Sequence, residues 1–173
     1  PYAPRAAAAI PSRSPAGGVL GCALPDPPTA VLRPAKPDNE AERLRALQRY
    51  DILDSAPEAA FDDLVAIAAA ICGTPMASVA LIAADRQWFQ ARLGIEAPQT
   101  PRDAAFCAHA ILQPHETMVV PDARADDRFR DHPYVTGAPG IRFYAGAPVL
   151  DADGLPVGTL CVMDCEPRVL DPH

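Results

Sequence analysis

A chain of 173 residues has room for one ordinary domain, and a hydrophobic share of 49% gives that domain a core, which excludes a fibrous or wholly disordered protein. The formal charge of −7 makes the surface acidic, so non-specific attraction to a phosphate backbone is excluded and no nucleic acid is expected as a partner. Cysteines at 22, 72, 107, 161 and 165 form an odd, scattered set without a signal-peptide pattern, which points to a reducing, cytoplasmic setting and away from a secreted disulfide framework.

Residues 1–37 are dense in proline, with Gly17, Gly18 and Gly21 among them and no sustained apolar period, so they read as a linker or disordered arm. The first residue is not Met, as expected of a fragment or processed piece. Order is expected from "DNEAERLRALQRYDILD", a first helix with Asn39 and Glu42 at capping-box spacing and Leu44, Leu47 and Leu53 as a sparse stripe. "SAPEAAFDDLVAIAAAICG" follows as a second. Ser55 and Glu58 form its capping box, Phe61, Leu64, Val65, Ala68 and Cys72 share its buried face, and Gly73 ends it.

The uncharged stretch 64–84 is long enough to cross a bilayer, but Gly73, Thr74 and Pro75 break it. It reads as helix, turn and strand, with no membrane contact. Beyond Pro75 the period becomes extended, and "MASVALIA" and "RQWFQARLG" form a hairpin. A second hairpin joins "IRFYAGAPVL" to "LPVGTLCVMD" across Asp153 and Gly154. Between them lie the segment "AFCAHAIL", a short strand "TMVVPDA" and the charged loop "RADDRFRDHPYVTGAPG".

These elements predict an α+β fold. One antiparallel sheet carries the N-terminal helices on one face, while a helix plus loops cover a pocket on the other.

The blocks "ERLRALQRYDILDSAPEAAFDDL", "ICGTPMASVALI", "RQWFQARLG", "TPRDAAFCAHAIL", "VVPDARADDRFRDHPYV", "IRFYAGAPV" and "GTLCVMD" resemble, in order and spacing, a GAF domain of the bacterial signalling type, the kind found ahead of histidine kinase or diguanylate cyclase modules. The resemblance covers residues 38–167. It implies a sensory module that binds a small ligand or relays dimer state to an output domain absent from this chain, with no chemistry of its own. It also implies a homodimer through helices of the longer protein, and a C-terminal signalling helix that would begin at 168–173 and be cut short.

Within that frame Phe106, Cys107, His109, Asp122, Phe129, Arg142 and Tyr144 are the candidate ligand-binding residues, with no catalytic residue and no metal ligand assigned. Two residues apart on a helix means about 200° around its axis, so Cys107 and His109 point to nearly opposite sides and make a poor catalytic dyad or metal pair. Phe106, Ala110 and Cys107 would face the sheet.

Arg142 and Tyr144 alternate with Phe143 and are expected on the cavity face as its polar lining, although a surface or Asp-paired role for Arg142 stays open. Asp122 either meets a ligand or caps the turn after its strand. The interleaved aspartates and arginines of 122–131 suggest mutual salt bridging over a calcium loop, and Cys161 and Cys165 lack a second zinc-ligand pair.

Any cofactor is unassigned and none is expected to be covalently bound, because Ala108 separates Cys107 from His109 where bilin-binding relatives have the two adjacent. The enzymatic alternative is a GAF-fold free methionine-R-sulfoxide reductase, for which the loop after "VVPD" lacks a second thiol. A third possibility is a dimerisation module without ligand.

Overall fold

The computed structural model describes residues 32–170; the expectations for 1–31 and 171–173 lie outside them. Among those described, α1 spans Glu40–Arg49 and α2 spans Ala59–Cys72. Then follow β1 Met76–Ile82, β2 Arg86–Leu93, β3 Gln99–Pro101, a 3-10 turn Arg102–Ala104, α3 Phe106–Ala110, β4 Met118–Val120, α4 Pro133–Thr136, β5 Phe143–Leu150 and β6 Pro156–Asp164. The strands form one antiparallel sheet in the order β3-β2-β1-β6-β5-β4. Neither β3 nor α4 was anticipated, since three or four residues carry too little pattern to register.

Alternation along β1 sorts the two faces. Ala77 and Val79 pack with Val65 and Ala69 of α2, and Leu81 packs with Ala46 and Leu47 of α1. Met76, Ala80 and Ile82 point the other way, towards α3. On β2, Phe89 joins the α3 side and Ala91 the α2 side, two residues apart, which strict alternation forbids. A register shift opposite Val79 and Ala80 leaves Gln90 as the extra residue, and this bulge reverses the strand's facing. Trp88 is half-buried beside the α1 cluster, with the Arg86 guanidinium 5.5 Å from its ring.

Both helices form where expected, but neither capping box does. Asn39 and Glu58 are the N-cap residues and neither side chain makes a cap bond. Helix α2 begins four residues after Ser55, whose hydroxyl instead meets Gln90 at 3.3 Å. What fixes α1 is an ion cluster. Fully buried Arg43 donates to Glu40 at 2.8 Å and to the Ile82 carbonyl at 2.6 Å, while Arg102, also buried, pairs with the same carboxylate and reaches the Ala83 carbonyl. Burial alone would raise the Glu40 carboxyl, but hydrogen bonds from the two guanidiniums outweigh it and hold it at about 2.

Gly73 closes α2 in the left-handed conformation at φ 62, a position that only glycine takes without strain. On the outer side of α2, Leu64, Ile67 and Ile71 are exposed, so Leu64 leaves the buried face assigned to it. No helix among the described residues is long and apolar enough to cross a membrane.

A candidate ligand cavity beneath helix α3

A cavity of about 290 Å³ opens between the sheet and the segment that contains α3. Its floor is Met76, Phe89, Tyr144 and Met163 from four strands, and its walls are the turn at Gly94, Ile95 and Glu96, the run 104–107, and Tyr134, Pro139 and Ile141. Its surface is mostly apolar. Gln87 and Thr100 supply a polar patch, the Gln87 amide lying 3.3 Å from the Thr100 hydroxyl, and Glu96 is the exposed carboxylate at the margin. Among the described residues, no Lys, Arg or His lines the space.

Of the seven residues singled out in the sequence, Phe106, Cys107 and Tyr144 line this cavity. Phe129 lies behind the wall, stacked on Phe106 with ring centroids 4.1 Å apart, and His109 meets the Phe129 ring edge-on at 5.0 Å. Cys107 and His109 do diverge, as the helical geometry requires. Burial and then the Arg128 charge depress the His109 imidazole to about 4.

Arg142 and Asp122 do not line the cavity. They form a two-bond ion pair at 2.6 and 2.7 Å near the surface, and the Arg142 guanidinium holds the Asp122 carboxyl at about 2. Strand β5 starts at Phe143, so the alternation that would place Arg142 with Tyr144 does not extend back to it. Asp122 also accepts from the Arg124 amide, the turn-capping role. The pocket pairing of Arg142 with Tyr144 is thereby corrected in favour of the Asp-paired alternative. The rest of the loop bridges itself through Arg128 with Asp126 and Arg130 with Asp127, and the described residues contain no group able to hold a metal ion.

Two features escaped the sequence. The Cys107 and Cys161 sulfurs lie 3.6 Å apart, fully buried, with the Tyr144 hydroxyl donating to Cys107 at 3.3 Å and Ser78 at 3.2 Å from Cys161. Burial pushes the Cys107 thiol up, whereas the hydrogen bond with Cys107 lowers Cys161, and the two titrate as a pair. Separated by 54 positions, the two have no spacing signal.

The second feature is His132, which is buried and bonded at both ring nitrogens. Its Nδ1 accepts from the Tyr134 amide at 3.1 Å, and its Nε2 donates to the Ala104 carbonyl at 3.1 Å. It struts two walls of the cavity together. Desolvation holds it neutral, with a pKa of about 4. The His-Pro pair at the start of α4 is the local signal that could have found it, since a helix-opening Pro is commonly preceded by a capping residue.

A family model of the GAF domain matches residues 56–173. The chain is 44% identical over 135 residues to a cyclic di-GMP phosphodiesterase of Pseudomonas aeruginosa, covering 78% of this chain but only 23% of that relative. Among solved structures it is similar to the GAF domain of an Acinetobacter phosphoenolpyruvate-protein phosphotransferase, with TM-score 0.53, 18% identity, and 76% of this chain and 82% of the other covered. It is similar also to a type II free methionine-R-sulfoxide reductase from Thermoplasma acidophilum, with TM-score 0.53, 10% identity, and 72% and 82% covered. At such identities the two structures show a shared fold alone.

Proposed function

The chain belongs to the GAF domain family, and from that premise we propose that it is the sensory domain of a bacterial signal-transduction protein whose cavity beneath α3 takes up a small molecule. The observation that carries this reading is the asymmetry of the sheet. Helices α1 and α2 fill one face, and the other is left hollow under a five-residue helix. A void of that size is expensive to maintain in a domain selected for stability alone.

The name of the Pseudomonas relative supports an output concerned with cyclic di-GMP, such as its hydrolysis or, as in other signalling proteins of this type, its synthesis or a kinase step. The domain itself is read as non-catalytic. Exposed Leu64, Ile67 and Ile71, spaced one turn apart along α2, support a second copy of the chain as the partner that relays the signal.

The test is the output activity of the longer protein, measured with and without a small-molecule extract of its source organism. Ala105→Phe, which fills the cavity from its wall, abolishes the response while leaving basal output in place. An equal response in both proteins would contradict the reading.

The paired thiols favour a second reading, a methionine sulfoxide reductase, because Cys161 on β6 sets a second thiol 3.6 Å from Cys107, although the loop after "VVPD" holds none. Its substrate carries both an ammonium and a carboxylate, and among the described residues no cationic side chain lines the cavity to receive the latter. The sensory reading therefore stands first. Turnover of free methionine sulfoxide at enzymic rates, lost in Cys107→Ser, would reverse that order.

A further inference from the structure

Resting on the reading that this cavity is the ligand site, we propose that its occupant is an uncharged, planar aromatic molecule of one or two fused rings that carries an N–H or O–H donor, and that it is not a nucleotide.

Charge decides the first part. A phosphate or carboxylate brought into an apolar pocket loses several kcal/mol of hydration and recovers it only against a cation or a cluster of donors. Among the described residues the cavity offers neither. The nearby arginines are committed elsewhere: Arg102 to Glu40, Arg128 to Asp126 and Arg142 to Asp122. Helix α3, at five residues, is too short to act as an anion site. Glu96 at the margin adds repulsion.

Shape decides the second. Rings of Phe89, Phe106, Tyr134 and Tyr144 face a space whose remaining contour is set by the flexible thioethers of Met76 and Met163. Such walls favour flat rings that stack or pack edge-on. At about 290 Å³ the space lies at the lower bound of ligand pockets, roughly 300 to 1,000 Å³, which suits one or two rings and not a base joined to ribose and phosphate.

The donor is read from Gln87. This residue lines the cavity and is only 6% exposed, and its side-chain carbonyl oxygen has no hydrogen-bond partner among the described residues, although its amide nitrogen lies against Thr100. A buried acceptor left unmet is costly. Gln87 shares its face of β2 with Phe89, so a small turn of its side chain brings this enclosed oxygen to the cavity, where a ligand N–H or O–H removes that cost and fixes the ring's orientation.

The experiment is calorimetric titration of the purified chain with indole, 1-methylindole, indole-3-acetate and cyclic GMP, repeated on Gln87→Leu, Thr100→Val and Ala105→Phe. Indole is expected to bind about tenfold more tightly than 1-methylindole, which lacks the donor, and than indole-3-acetate, which adds a charge; cyclic GMP is expected not to bind. Gln87→Leu, or Thr100→Val should the first fail to fold, removes the advantage of indole over 1-methylindole. Equal binding of the two indoles to the native chain, tighter binding of either anion, or no binding by any probe overturns the proposed class. If Ala105→Phe still abolishes the response of the longer protein to extract, the cavity remains the ligand site and only the class falls; if that response also survives, both fall together.

Discussion

Phe143 and Tyr144 are neighbours on β5, both with no exposed surface, and they lead to opposite kinds of interior. The Phe143 ring packs among Val65, Ala69, Ala77 and Val162 beneath α2, in an apolar cluster that shares no residue with the cavity lining. Tyr144 enters the other side, hydrogen-bonded to Cys107 and bordering a cavity. Gly146 on the same strand has no side chain because the Tyr144 ring and hydroxyl occupy the place where its Cβ would stand. One sheet thus separates an apolar cluster beneath two helices from a face that borders a cavity. The difference teaches where substitutions should be costly and where they should be tolerated.

The largest effect is expected on the filled face. Phe143→Ala should lose about 3 to 5 kcal/mol by urea denaturation, since a buried ring is removed where nothing can collapse into its place. Enlarging a residue sharpens the contrast. Ala69→Phe, against β1, should cost at least about 1 to 3 kcal/mol by overpacking, whereas Ala105→Phe grows into existing space and should shift the urea midpoint little. Equal losses from the two alanines would show that the faces are not different in kind.

An intermediate effect is expected from pH, and it should fall on the hollow face. His132 is held at about 4 against an ordinary 6.5, so the folded state favours the neutral ring and the unfolded state binds the proton first. Its contribution to stability is complete above pH 6.5 and is lost as pH falls through 4. Protonating Nδ1 would break its bond to the Tyr134 amide. Across that window amide exchange should quicken at Tyr134 and around 104–106 before it does at Val65 or Val162, and His132→Gln should reduce the dependence there, leaving the part that His109 contributes over the same window. Uniform quickening would assign the pH response to the whole fold.

Smaller still is Tyr144→Phe, expected to cost about 1 kcal/mol for one neutral hydrogen bond. Arg142→Ala should leave the urea midpoint nearly unchanged, because its pair with Asp122 lies near solvent where such bonds contribute little.

Much of this division was legible in the sequence. Helical period in 59–72, extended period in 76–93 and 143–164, and the Asp-Gly turn between β5 and β6 suffice to derive a two-layered sheet with a cover over one side. What stayed hidden depends on contacts between distant residues or on geometry that local pattern cannot encode. The guanidiniums of Arg43 and Arg102 look like surface charges until Glu40 is placed between them. Ser55 and Glu58 have capping-box spacing, yet Ser55 is drawn to the bulge at Gln90, a tertiary contact that overrides the local cap. Cys161 reads as an ordinary strand residue until α3 lays Cys107 on it. Phe106, Cys107 and Tyr144 border the cavity because α3 and β5 turn them towards it, while Arg142 and Asp122 flank the ends of their strands, where alternation no longer applies.

The central claim, that the hollow face is where the molecule receives its input, is tested most directly by nuclear magnetic resonance on the isotope-labelled chain mixed with a small-molecule extract of the source organism. The account predicts amide shifts confined to Ile95, Phe106, Cys107, Tyr134 and Tyr144, with Val65, Ala69 and Phe143 unmoved, and no such shifts in Ala105→Phe. Shifts centred on α2, or the same shifts in the cavity-filled variant, would contradict it.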